Sequence, residues 1–417
     1  MTETLQAPTA SGSVAESTTV ITGIGVVAPT GVGAADHWAA TVAGRSAISR
    51  INRFDPTIYP SQLAGEAAGF VAADHLPSRI VTQTDRMTHM ALAATELALA
   101  DAAVDLTSVN EFEAAVITAN SSGGFEFGQD ELQRLWTRGP RSVSAYLSIA
   151  WFYAASTGQL SIKHGMRGPC GVIATEQAGG LDAVAGARQA IFDGARVVIT
   201  GGTDASLCSW GFVAQIPSGR LSTETDPARA YRPFDSTAAG YLPGEGGAIF
   251  IAERFDEARA RGARIYGAVV GHAATFDPPP WSGQPSRFES AIRLALDDAQ
   301  LQPDDIDVVF ADAAGDRRSD ADEAAALRSV FGPNGVPVCA PKAMTGRLYA
   351  GGGSLDIATA LLASCHDLLP GTGTPITVAE EYGLDLVIEP RPAAVNTALV
   401  LARGYGGFNS ALILRAC

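Results

Sequence analysis

The sequence predicts an α/β fold, duplicated within the chain, with helices layered on mixed, mostly parallel sheets. Three observations carry that expectation. Short apolar runs of strand length alternate with longer runs of helical period from residue 20 onward, and such alternation builds βαβ layers. The 45 glycines suit the tight strand–helix turns that these layers need. A helix followed by a strand also occurs twice in the same order. LALADA at 97–102 precedes VITANSSG at 116–123, and LALDDA at 294–299 precedes VVFADAAG at 308–315.

In chain order, residues 1–17 are rich in Ser, Thr and Ala and read as a disordered tail. They carry neither the basic stretch nor the apolar stretch of a signal peptide. Residues 20–23 give the first strand, 86–103 a helix, 114–119 (AAVITA) a buried strand, and 125–136 a helix. A strand at 171–174 leads through Gln177 into a helix at 181–192 (LDAVAGARQAIF). Strands follow at 196–201 (RVVITG) and 246–253 (GGAIFIAE). After Arg264 the pattern restarts, with a strand at 266–272, a helix at 288–300, a strand at 307–311 and a helix at 353–365. Strands at 394–402 and 411–415 close the chain, so the expected halves are 18–262 and 263–417.

A net charge of −15 argues against nucleic acid and anionic membranes as partners. No run of 18 apolar residues occurs, so no membrane-spanning helix is expected. The five cysteines, Cys170, Cys208, Cys339, Cys365 and Cys417, show no metal-ligand spacing, and an odd count leaves one unpaired. That usage predicts a reduced, cytoplasmic protein without a metal site.

The chain is organised around residues 173–183, IATEQAGGLDA. Gln177 falls on the turn between a strand and a helix, where unpaired backbone N–H groups and the helix dipole would activate a cysteine. An amide there can only donate and accept hydrogen bonds. This stretch resembles the active-site elbow of β-ketoacyl synthases, in which a cysteine precedes small residues and Gly-Leu-Asp-Ala. With glutamine in the cysteine's place it is similar to the chain length factors, the β subunits of type II polyketide ketosynthases. The resemblance runs from about Val20 to the C-terminus and implies a thiolase fold of αβαβα layers.

The family's two histidines can be placed by motif. The first motif, Ala-His-Gly-x-Gly-Thr, reads ADAAGD at 311–316, with Asp312 at the histidine position. The second, Lys-x-x-x-Gly-His, reads KAMTGR at 342–347, with Lys342 retained and Arg347 at the histidine position. His37, His75, His89, His164, His272 and His366 fall outside both motifs. The scaffold is kept: RPFD at 232–235, GYLPGEGG at 240–247 and GYGGFNS at 404–410 all resemble family motifs. Opposite charges at two positions that converge in the family predict that Asp312 and Arg347 form an ion pair. Cys170 is expected to be buried and inert.

A third stretch is GGFEFGQDELQRLW at 123–136. Phe125, Gly128 and Leu132 share one face of a helix by their spacing. The resemblance implies that they line the far end of the polyketide tunnel near the heterodimer interface. Gly128 and Leu132 leave two of three such positions open, which predicts a decaketide or longer.

The resemblance therefore implies a subunit without a catalytic nucleophile. It pairs with a ketosynthase α subunit, receives chains from an acyl carrier protein, and shapes the tunnel during decarboxylative Claisen condensation. No cofactor is implied. The strand at 171–175 is expected at the two-fold interface. The alternatives are a malonyl decarboxylase of the glutamine type, which keeps both histidines where this chain keeps neither, and a structural homodimer.

Overall fold

The computed structural model describes residues 17–417, so the expected tail lies, apart from Ser17, outside the described residues. The first half of the chain supplies β1 (Thr19–Ala28), β2 (Ala114–Ala119), β3 (Cys170–Ile173), β4 (Val197–Asp204) and β5 (Gly246–Arg254). The second supplies β6 (Gly267–Phe276), β7 (Val308–Phe310), β8 (Pro337–Cys339), β9 (Asp385–Leu386), β10 (Thr397–Gly404) and β11 (Phe408–Arg415). They join in the order β9-β8-β7-β10-β11-β6-β1-β5-β4-β2-β3.

Apart from the edge strand β9, that order is the same read outward in either direction from the β6–β1 junction. Two antiparallel pairings (β1–β5–β4) and two parallel ones (β4–β2–β3) mirror two antiparallel (β6–β11–β10) and two parallel (β10–β7–β8). The repeated sequence segments end in β2 and β7, which hold equivalent places in the two halves. The sheet is thus less parallel than expected. Its centre is antiparallel; β10 and β11, for one, are joined by a turn of three residues, too short for the crossover that parallel strands require.

Helices fill three layers around the strands. α1 (Arg86–Ala102) covers β1 and β5, and α4 (Phe288–Ala299) covers β6 and β11; α5 (Arg317–Phe331) packs on α4. α3 (Gly179–Phe192) and α6 (Ala350–His366) touch strands of both halves and each other, so they form the middle layer. α6 buries Leu355, Ile357, Leu361 and nearly all its other residues, as an apolar helix without a polar face must. A β-carbon at Gly180 would lie 2.4 Å from the Ser354 amide nitrogen, so α3 and α6 can touch only through glycine. One apolar core surrounds this middle layer, and another lies behind each half-sheet.

Elements extend beyond their expected ends wherever small or polar residues keep the pairing going. α6 begins at Ala350 and runs through its glycines, β6 continues to Phe276, and β11 starts at Phe408. Cys170 corrects a reading of the sequence: it opens β3 at the sheet edge, and it is exposed rather than buried. Among the described residues, no helix is long and apolar enough to cross a membrane.

Candidate functional site

Gln177 sits in a short 3-10 turn, Glu176–Ala178, between β3 and the N-terminus of α3, as its sequence context predicts. Asp182, in the first turn of α3, accepts from the Thr175 hydroxyl at 2.6 Å and faces His272 Nε2 at 3.2 Å. The first contact braces the elbow internally, and the second stakes it to the opposite half of the molecule. Gln177 is buried, and its Nε2 donates to Glu176 Oε1 at 3.2 Å.

Asp312 follows the end of β7, and Arg347 lies just before α6. The two meet as expected. Arg347 Nη2 donates to Asp312 Oδ1 at 2.8 Å and Nη1 to Oδ2 at 3.3 Å, and both side chains are buried. Asp312 Oδ1 also accepts from the Arg403 amide at 2.8 Å, while Arg347 reaches the Arg403 carbonyl at 3.0 Å. Burial pushes the Asp312 carboxyl up, but the Arg347 and Lys342 charges outweigh it and hold it below the ordinary range. Lys342 Nζ is itself tied to Asp356 Oδ2 at 2.8 Å and to the Ala311 carbonyl at 2.7 Å.

The space enclosed by Gln177, Asp312, Lys342 and Arg347 is about 10 Å³, and His37 and Asp356 also line it. That volume holds about one water. It has no room for a thioester, and its charges are already paired. His37 was not visible from its motif context, yet it enters this wall. Its ring nitrogens meet Thr30 Oγ1 at 2.6 Å and Thr359 Oγ1 at 3.0 Å, and burial lowers its pKa to about 4, so it is a neutral hydrogen-bonding strut.

Outside this core lies a polar cleft of about 90 Å³, lined by Glu176, Arg220, Tyr241, Arg347, Arg403 and Tyr405 among others. The turn after β10 forms its rim. A β-carbon at Gly404 would come within 2.6 Å of the Thr175 carbonyl, so this turn presses directly on the elbow.

Phe125, Gly128 and Leu132 lie on α2 (Phe125–Arg138). Asp85 fixes the start of that helix: it caps α1 through the Met87 amide at 3.0 Å and accepts from the Phe127 amide at 2.8 Å. One expectation changes here. Gly128 does not leave an open position, because the Trp151 ring covers it. A β-carbon at 128 would meet Trp151 Cε3 at 2.4 Å and Trp210 Cζ3 at 3.0 Å. Trp151 and Trp210 stack at 4.9 Å, and the Phe125 ring lies 5.1 Å from Trp210. The two tryptophans were missed because they come from separate segments that only the fold brings to α2. Tyr146, Ile149, Trp151, Phe152 and Tyr153 remain substantially exposed in the segment between α2 and β3.

Comparison with known proteins gives a consistent result. The profile described as beta-ketoacyl synthase, N-terminal domain, matches residues 16–258, and that of the C-terminal domain matches residues 263–374. The chain is 57% identical over 402 residues to the tetracenomycin polyketide synthase ketoacyl synthase beta subunit of Streptomyces glaucescens, covering 95% of this chain and 98% of that protein. It is 54% identical over 398 residues to the actinorhodin polyketide putative beta-ketoacyl synthase 2 of Streptomyces coelicolor, covering 95% and 98%. Among solved structures, the ishigamide ketosynthase/chain length factor superposes with a TM-score of 0.87 at 26% identity, covering 97% of this chain and all of that one.

Proposed function

The chain belongs to the beta-ketoacyl synthase family, and we propose that within it this protein is the β subunit, the chain length factor, of a heterodimeric type II polyketide ketosynthase. The thiolase fold is shared with the solved ketosynthase/chain length factor. The observation that carries the subunit reading is the filled core behind Gln177. An amide replaces the nucleophile, and the Asp312–Arg347 pair occupies the two histidine positions. A ketosynthase site needs a thiolate and donors free to polarise a carbonyl. Here neither is available, while the surrounding scaffold is intact.

In this reading, the growing chain is held on the partner's cysteine. Malonyl units arrive on an acyl carrier protein, lose their carboxylate as carbon dioxide, and attack the acyl thioester through the resulting enolate. This chain supplies interface and tunnel shape. The open edge of β3 and the exposed aromatics from Tyr146 to Tyr153 support a large partner surface. The tunnel end is assigned to Phe125, Gly128 and Leu132, with Trp151 and Trp210 as the side chains that set its volume. The length expectation, a decaketide or longer, passes to this cluster: Leu132 stays the smaller-than-aromatic position, and the space at Gly128 depends on Trp151. The two ketosynthase-like halves meet near residue 262, and the site of action is the cytoplasm. The decarboxylase alternative loses support, since the core behind Gln177 has no room for a malonyl thioester and its charges are already paired.

Co-expression with the ketosynthase α subunit and a carrier protein, followed by product mass, tests the proposal. Polyketide formation that requires this chain supports it. Product of unchanged amount and length when this chain is omitted would rule it out.

A further inference from the structure

Glu176 has a left-handed backbone, with φ at 54°, that a glutamate rarely adopts. Such a conformation persists where contacts over-determine it. Here its side chain folds back over the elbow. Oε2 accepts from the Gln177 amide at 3.0 Å and from the Tyr405 amide at 2.7 Å. Oε1 accepts from Gln177 Nε2 at 3.2 Å, and the Ser121 hydroxyl donates to the Glu176 carbonyl at 3.1 Å.

Two backbone N–H groups, one on an elbow and one on a facing turn, thus converge on a single oxygen. That is the geometry that stabilises a carbonyl oxygen gaining negative charge. The Gln177 amide belongs to the wall of the closed core, whereas Glu176 and Tyr405 both line the polar cleft, together with Arg220, Arg347 and Arg403 and with Asp277, Asp312 and Asp316; Tyr405 is 61% exposed. A carboxylate or thioester arriving through that cleft would find both donors, were they free.

We propose that Glu176 is a tethered anion that plugs this subunit's oxyanion hole, excluding malonyl carboxylates and thioester carbonyls so that acyl groups engage only the partner's site. The inference rests on the subunit reading and deepens it. Loss of the nucleophile alone would leave a hole able to hold a carrier-bound chain unproductively. An internal carboxylate wins the contest because it is covalently held beside its donors and so is present at high effective concentration. It accepts three charge-assisted hydrogen bonds at once, two of them from these amides.

The test is malonate binding by the α/β complex, measured calorimetrically for wild type and for Glu176→Gly, whose backbone accepts positive φ without strain. Glu176→Asn serves as a second variant, since asparagine tolerates the same backbone and its shorter side chain does not reach the Tyr405 amide. The partner's own site contributes equally to every sample. We expect an additional malonate site in the variants, at least ~10-fold tighter than any at this position in wild type, the factor that 1.4 kcal/mol represents. Crystals of the wild-type complex soaked in malonate should still show Glu176 on both amides. Malonate on those amides in wild type, or no added site in variants that assemble and make polyketide, overturns the plug. The latter result leaves the subunit assignment standing, whereas failure of wild type to pair with an α subunit would remove the assignment itself.

Discussion

Arg347 and Asp312 face each other through two hydrogen bonds, at 2.8 and 3.3 Å, the one just before α6 and the other just after β7. The pair is buried, and its remaining valences are satisfied by the backbone of Arg403. The pair is a structural cross-link between β7, the segment before α6, and β10.

The first prediction concerns that cross-link. Arg347→Met strands a buried carboxylate and should cost about 3–5 kcal/mol of unfolding stability. The double variant Asp312→Leu with Arg347→Met should recover most of that loss, because two apolar groups replace the pair together. Denaturant midpoints of the single and double variants check it. Equal losses in both would mean that the shape of the pair, rather than its charge balance, matters.

A second prediction follows from buried carboxylates that are held protonated. Burial, with Glu323 and Asp316 nearby, pushes Asp320 up to about 8. A raised folded-state pKa means that the folded protein keeps a proton that the unfolded chain loses near pH 4. The associated stability is full below that pH and is lost as pH rises toward 8. Asp320 alone should therefore remove on the order of 2 kcal/mol of stability between pH 6 and 8.5, beside the losses from Asp85, Asp204 and Glu323, which burial pushes up to about 7. Asp320→Asn should make the slope shallower. A slope unchanged by that substitution would assign the titration elsewhere.

The third prediction concerns chain length. The Trp151 ring covers Gly128, so Gly128→Thr must displace it. Combined with Leu132→Phe, it should shorten the product by whole two-carbon units, since a close-packed wall has no slack for the added atoms. Trp151→Ala should act in the opposite direction. Product mass from the reconstituted complex measures both. Unchanged products from all three substitutions, in complexes that assemble, would place the gate away from α2.

The fourth concerns the edge strand. The carbonyls of Pro169 and Ile173 accept from the Val116 and Asn120 amides, so alternate residues of β3, including Val172, direct their backbone groups away from β2. Val172→Pro removes one outward donor and leaves the internal ladder in place. It should abolish co-purification with the α subunit while the chain itself stays folded by circular dichroism. Normal heterodimer recovery would move the interface elsewhere.

Gln177, Asp312 and Arg347 stood out in the sequence because each lies inside a contiguous motif whose other residues resemble the family's. Gln177 and Arg347 could be placed before any coordinates, and their chemistry followed from residue type. What escaped has a common cause in long-range geometry. Glu176 reads as an ordinary polar neighbour until its positive φ turns it onto an amide 229 residues away. Trp151 and Trp210 carry no signal that ties them to Gly128. His37 reaches Thr359 across 322 residues. The antiparallel centre of the sheet was hidden for a different reason: periodicity reports a buried strand but not the direction of its neighbour.

The central claim, that this subunit carries no acyl chain, is tested most directly by intact-mass measurement of both subunits after incubation of the heterodimer with malonyl and acyl carrier protein. The account predicts a stoichiometric acyl adduct on the α subunit and none on this chain. A stoichiometric adduct on this chain, at the exposed Cys170 for example, would contradict it.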